Sequence, residues 1–414
     1  MLICLSILFS LNAHTALGQV GVAKPLAEAC GPAAGNILCI NRYASVMPYH
    51  FFRQPSEDGV YEDTFSSTSV PNDTSFAEVA TADFLVFDQP RGLELLGPTP
   101  TYEFVFPVSS AVHEAPVYVP AQNKVYLSQL APPPGYLPQL VIDLNQSPPT
   151  ISEFLPDPPV YAPNGGTINS GLIYWAVSGG NRSIGGIESR PGIATLNVTT
   201  NKTETLLNKY FGYYFNIVDD LVVDSQGNIW FTDPFYSWFN ELVDTAPQIE
   251  AASYRFNPRT GAVNIVDDSI VQPNGIAIAP DGKTIYISDT GAVAGPYAMS
   301  VGSQGATFNT TNKRTIYAFD SSEDGMWIGN KRPIYLSQDW VPDGLKVARN
   351  GYIVTGAGKG VDVLDTYGTL LVRVQTNYTV QNFAWTGPDY KTLWVMGQGG
   401  ISKVEWNLQG QELT

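Results

Sequence analysis

The sequence predicts an all-β chain folded as a six-bladed β-propeller with an N-terminal arm, on three observations. The first is composition. The 414 residues include 38 Gly and 31 Pro, and only 14% are charged, which suits short strands joined by tight turns and leaves little for long helices. The second is a recurring pattern: a polar or Gly turn, four or five β-formers, then a small or acidic residue. It reads NKVYLSQ at 123–129, GLIYWAV at 171–177, GNIWFTD at 227–233, KTIYISD at 283–289, GYIVTGA at 351–357 and KTLWVMG at 391–397. With Val125, Ile173, Ile229, Ile285, Tyr352 and Leu393 aligned, the steps run from 41 to 67 residues. That is too long for leucine-rich repeats and right for four-stranded blades. The third is the content of one copy, where GIAIAP, KTIYISD, RTIYAFD and RPIYLS follow one another between Gly, Pro, Asp and Asn.

In chain order, residues 1–18 hold no charged side chain and an apolar run from Met1 to Leu11, and they read as a secretory signal peptide. Residues 19–80 are expected to form the arm. Cys30 and Cys39 remain there as a pair once Cys4 leaves with the leader, and an oxidising compartment favours a disulfide between them. Seven N-glycosylation sequons begin at Asn72, Asn145, Asn181, Asn197, Asn201, Asn309 and Asn377, in keeping with a secreted, extracellular glycoprotein. The propeller is expected over 81–414. Its last copy holds three strand runs, NFAWT, TLWVMG and ISKVEW, while FLVFD, LELLG and YEFVFP lie upstream of the first copy as strands without a blade. Pairing one of these upstream runs with the last copy would remove two open edges at once.

The candidate site comes from the residues that lead into each innermost strand. Nine to eleven positions before the aligned residue stand Glu114, Asn164, Asp219, Asn274, Asp343 and Asn382. A propeller brings six such positions to its axis. Carboxylates and amide carbonyls gathered there are the oxygen ligands that Ca²⁺ takes.

The segments QPNGIAIAPDGKTIYISDTG (272–291), VDDLVVDSQGNIWFTDPFY (218–236), HEAPVYVPAQNKVYLS (113–128) and VPDGLKVARNGYIVTG (341–356) resemble the signature stretches of the gluconolactonase, or SMP-30-like, family over roughly 80–410. The arm and the spacing look most like its secreted fungal lactonohydrolases. The resemblance implies a six-bladed, divalent-metal lactone hydrolase whose metal ligands fall on Glu114, Asp219, Asn274 and Asp343. Ala115 stands where the family has Gly, and Asp219 where it has Asn. Ca²⁺ is the expected ion, with another divalent cation as the alternative. Asn164 and Asn382 are then expected in the outer coordination sphere or on substrate hydroxyls, together with Tyr236 and His113 at the rim. Strand alternation turns His113 away from the axis if Glu114 faces it. Asp343 and Asp220 are the candidates for the general base.

The formal charge of −16 argues against nucleic-acid and anionic-membrane partners. The mature chain has two His and no G-x-S-x-G elbow, which speaks against a Ser–His–Asp hydrolase and a zinc site. The expected activity is hydrolysis of small polar lactones, of the aldonolactone or pantolactone type. Two alternatives are a strictosidine-synthase-like enzyme without the metal set and a non-catalytic glycan- or protein-binding propeller.

Overall fold

The structure is a computed structural model, and it describes residues 25–32, 35–41, 53, 64–68, 70, 73–130, 138–184, 187–295 and 307–413. The leader, the sequon at Asn72 and the side chain of Asn181 lie outside the described residues.

The fold is an all-β propeller. Four sheets are antiparallel and four-stranded within their own stretch of chain, spanning 117–154, 163–207, 221–267 and 273–336. A fifth is completed from upstream, as expected: strands Thr379–Thr386, Thr392–Gln398 and Gly400–Glu405 are joined by Thr101–Pro107. Lys403 faces Glu103 across that seam at 2.9 Å, and the Tyr102 and Ser402 hydroxyls meet at 2.9 Å. All six recurring runs form the second strand of a sheet, from Lys124–Leu127 to Thr392–Gln398.

Six equal four-stranded blades are not what forms. The strands between Pro342 and Gln375 belong to a seven-stranded sheet, extended outward by Phe84–Val86, Ile37–Ile40 and Ala27–Ala29. Cys30 and Cys39 form the expected disulfide in this extension, with Cα atoms 5.8 Å apart. Two short strands of 19–80 are thus built into a sheet, while Ser75–Thr81 forms a 3-10 helix. The added strands cover an outer edge that would otherwise expose unpaired backbone groups.

The LELLG run is not a strand. Gln89–Leu96 is an α-helix. Asp88 accepts from the Arg91 backbone N–H at 3.1 Å as its N-cap, and Pro90 sits in the first turn. Gly97, at φ 77°, ends it. Cap, Pro and Gly together decide the conformation over the apolar run between them.

Runs apolar on both faces follow from sheets packed against sheets. Ile229 and Phe231 join Ala176 and Ile193 of the preceding sheet, whereas Trp230 between them joins Ile276, Ile285 and Ile287 of the next. The innermost strands stand side by side in a closed ring, Val117–Val119, Pro163–Asn169, Leu221–Val223, Pro273–Ile278, Pro342–Val347, Thr379–Thr386 and back to Val117–Val119. Each second strand runs antiparallel to its inner strand, with Pro273 opposite Asp289 and Pro342 opposite Ala357. The loops leaving the second strands therefore surround the end at which the inner strands begin.

Candidate active site

All six residues singled out at the head of the inner strands are buried, between 1% and 6% exposed. The ring brings them together in a hydrogen-bonded shell. The Glu114 carboxyl donates to Asp343, and the Asn274 side chain also donates to Asp343. Asn164 Nδ2 donates to Asp219 Oδ1 at 2.6 Å, and Ser178 Oγ donates to Asn164 Oδ1 at 2.8 Å. Asn382 Oδ1 accepts from the Phe383 backbone at 2.9 Å, and its Nδ2 is buried without a partner. Asp219 Oδ2 is likewise buried and unpartnered.

Glycines set the approach of the strands. A Cβ on Gly344 would lie 2.5 Å from Asn382 Cγ, and one on Gly165 would overlap the Asp220 carboxylate. Side chains there would push the inner strands, and so the shell, apart. Ala115 and Val218, which flank Glu114 and Asp219, both hold φ near +54°. That conformation is costly for a residue with a Cβ, most of all a β-branched one.

Asp220 does something different from its neighbour. Its Oδ1 accepts from Leu221 N at 2.8 Å and its Oδ2 from Ile276 N at 3.4 Å, so it ties two adjacent inner strands. Thr232 Oγ1 accepts from Asp220 N at 3.1 Å and donates to Asn274 O at 2.6 Å, adding a second tie.

The electrostatics follow from burial and crowding. Burial, then the charges of Asp343, Asp219 and Asp220, hold the Glu114 carboxyl well above its usual range. Asp219 is pushed well up by burial and by Asp343, against the opposing bond from Asn164. Burial raises Asp343 to about 7 and Asp220 to about 6, the latter offset in part by the Lys346 charge. Burial lowers the His113 imidazole to about 4, so it is neutral at pH 7. The His113 backbone N–H donates to Ser128 O, while the Glu114 N–H donates to Ser128 Oγ. Tyr236 is built into the wall of the surrounding loops. It is 8% exposed, and its hydroxyl is bonded to that of Thr290. Ser237 Oγ, next to it, donates to Ser178 O at 2.7 Å.

Among the described residues, no three of His, Cys, Asp and Glu stand in ready ligand geometry; Glu114 and Asp343 bond to each other instead. The donor set still fits a hard cation. Glu114, Asp219 and Asp343 feel one another's charge, the Asn274 amide bonds to the last of them, and one buried oxygen of Asp219 has no donor of its own, which is chemistry a hard cation would answer.

The sequence reading missed the residues that hold these positions. Asp233 accepts from the backbone of Asn216, Ile217 and Val218 at 2.9–3.1 Å and so fixes the segment that delivers Asp219. Asp289 does the same for Val271 and Gln272 ahead of Asn274. The signal was present in the acidic residue that ends two of the recurring runs.

The sequence model of the SMP-30/gluconolactonase/LRE-like region matches residues 186–398. A lactonohydrolase of Aspergillus oryzae, oryL, is 46% identical over 399 residues, covering 95% of this chain and 91% of that protein. A second from the same organism, oryH, is 42% identical over 447 residues, covering 94% and 95%. Among solved structures, a gluconolactonase from Xanthomonas campestris superposes with a TM-score of 0.62 at 21% identity, covering 78% of this chain and 94% of that one. The calcium-binding protein regucalcin from Agrobacterium tumefaciens superposes at 0.52 and 15% identity, covering 75% and 95%. At those identities the superpositions speak for the fold alone.

Proposed function

The chain belongs to the SMP-30/gluconolactonase/LRE-like family, and from that premise we propose that it is a divalent-metal-dependent hydrolase of small polar lactones, of the aldonolactone or pantolactone type, with Ca²⁺ as the ion. Lactone hydrolysis itself rests on its lactonohydrolase and gluconolactonase relatives. One observation carries the metal reading. Buried Glu114, Asp219 and Asp343 share a shell with Asn274, and Asp219 Oδ2 is left without a donor. Like charges held this close away from water are costly unless a cation or protons neutralise them. The seven-stranded sheet serves here as the sixth blade, because its strand Pro342–Val347 takes its place in the inner ring.

Glu114, Asp219, Asn274 and Asp343 would hold the ion. When bound, it supplies Lewis-acid polarisation of the lactone carbonyl and acidifies water. Asp343 is our choice of general base. Burial raises its carboxyl in the metal-free chain, and a bound cation would pull it down again and keep it ionised, as a base must be. Asp220 is a positioning residue, because backbone N–H groups hold both its oxygens. Asn164 fixes Asp219 by donating to Oδ1, and Ser178 fixes Asn164 in turn. Asn382 Nδ2, buried and unpartnered, offers a donor to a substrate hydroxyl.

We further propose secretion. The apolar leader, the Cys30–Cys39 disulfide and the sequons support it, with Asn145, Asn309 and Asn377 exposed outside the strands. No helix among the described residues is long and apolar enough to cross a membrane.

The test is a pH-stat screen of a lactone panel on the full chain, with and without chelator. Ring opening that stops on chelation and returns with Ca²⁺ is expected. Undiminished hydrolysis in excess chelator would refute the metal reading, and no hydrolysis of any lactone would refute the activity.

A further inference from the structure

The shell occupies only one end of the ring. Two residues further along four of the inner strands, Asn164 gives way to Gly166, Asp219 to Leu221, Asn274 to Ile276 and Asp343 to Leu345. These four second residues line a cavity of about 1000 Å³ at the opposite end. Two residues of extended chain span about 7 Å, so the cavity begins about that far beyond the shell, across register irregularities between Pro273 and Ile276 and between Pro342 and Leu345. Its volume is at the upper end of the usual range for small-molecule sites, roughly 300–1,000 Å³.

The lining holds two lysines, Lys283, which is exposed, and Lys346. Lys346 is half-buried in it and makes no hydrogen bond or ion pair among the described residues. It lies three residues beyond Asp343 on the strand Pro342–Val347, next to Leu345 of the lining. The acids further out are committed or exposed. Asp224 accepts from Asn228 and from Trp230 Nε1 at 2.9 Å, and Asp320 pairs with Arg332 at 2.8 Å. Asp281 and Glu323 are exposed. Apolar Leu221, Ile276 and Leu345 form part of the lining, with Trp230 and Trp385 on its walls. The C-terminal segment closes one side, where Gln411 Nε2 donates to Ile278 O at 3.2 Å and Val347 O at 2.9 Å.

We propose that this cavity is a second binding site, distinct from the carboxylate shell, for a small organic carboxylate whose anionic group seats on Lys346. An unpaired ammonium in a partly apolar cavity favours an anion with a non-polar or hydroxylated body over inorganic ions. The hydroxy acids that lactone opening releases have this chemistry, but the site does not depend on that activity.

The experiment uses the full-length protein stripped of metal with chelator and then exchanged into chelator-free, metal-free buffer, so that no ion in the shell can hold a carboxylate and no chelator carboxylate competes for the cavity. Gluconate is titrated while tryptophan fluorescence is read, with glucose as the uncharged control and sulfate as the inorganic one. Saturable binding of gluconate but not glucose is expected, and Lys346→Met should weaken it about 10–100-fold, the loss typical of a hydrogen bond to a charged group. Lys346→Arg should restore most of it, and Asp343→Asn should leave it unchanged. Absence of binding, equal binding by Lys346→Met, or loss in Asp343→Asn would overturn the proposal; the last would place the ligand in the shell. Sulfate binding as tight as gluconate would reduce the site to a general anion contact and overturn the carboxylate assignment. Lactone turnover, measured separately, tests the lactonase reading and does not bear on this one.

Discussion

Asp343→Asn should change stability with opposite sign at low and at neutral pH, once metal is removed. In the native chain burial lifts Asp343 from an ordinary 3.8 to about 7. A carboxyl whose folded value is raised binds more protons when folded, so its contribution to stability falls as pH rises from about 4 to about 7. At about 1.4 kcal/mol per pH unit, that fall is on the order of 4 kcal/mol by pH 8. The amide removes this charge penalty. It offers, however, one acceptor oxygen where the carboxylate offers two, and weakening the bond from Glu114 or Asn274 costs roughly 1–3 kcal/mol. In chelator the variant should therefore be less stable than wild type near pH 4.5 and more stable by about 1–3 kcal/mol at pH 8. Excess Ca²⁺ should reverse the pH 8 ordering, because the ion needs the charge. Chemical denaturation at four pH values, with and without Ca²⁺, reads all of this. A variant uniformly less stable in chelator, with no crossing, would refute the idea that the shell's charges oppose folding.

Three further outcomes are expected. Asp343→Asn should lower kcat on a good lactone by at least about a hundredfold at saturating Ca²⁺, the lower end of what a general base supplies, while His113→Gln should cost far less; equal collapse of both would bring His113 into the mechanism. Arg373→Met should cost about 3–5 kcal/mol at pH 7, since Arg373 is 2% exposed between Asp339 and Asp362, at 2.5 and 2.7 Å. The loss should shrink in acid as the Asp362 carboxyl, raised by burial, protonates, and a pH-independent loss in urea titrations would contradict it. Gly165→Ala should destabilise by about 1–3 kcal/mol or more through overpacking, because the new methyl meets the Asp220 carboxylate; an unchanged denaturation midpoint would count against the tight ring.

The sequence carried the repeating part of the fold well, because the strand period and the turn chemistry repeat with each copy. The six second strands and the closing pair with Thr101–Pro107 were both legible in it. What escaped had no copy to compare with. Gln89–Leu96 occurs once, and its cap at Asp88 outweighs a short apolar run. The strand Phe84–Val86 goes to the outer edge of another sheet, a choice made by Ile37–Ile40 on one side and Leu370–Gln375 on the other. The shell residues were legible by phase alone, but their roles were not. Asp219 and Asp220 are adjacent acids, and only the bonds to Leu221 and Ile276 set Asp220 apart as a strand tie. Lys346 carried no signal, since a lysine inside a strand reads as a solvated face until the ring closes around it.

The acids at this end of the ring fall into two kinds, and the difference bears on what the shell is for. Asp233 and Asp289 are buried, yet each accepts from three backbone N–H groups, at 2.9–3.1 Å and 3.0–3.2 Å. Burial raises both carboxyls, and these bonds oppose the rise and hold the loops. Glu114, Asp219 and Asp343 are answered mainly by one another and by two amides, and one oxygen of Asp219 by nothing. Strained backbone at Ala115 and Val218 adds to the cost of holding them there. A fold whose structural acids are this well satisfied has no packing reason to leave a neighbouring set unsatisfied. A ligand that completes such a set would relieve its cost, and the proposed divalent cation is one that carboxylates and an amide oxygen suit.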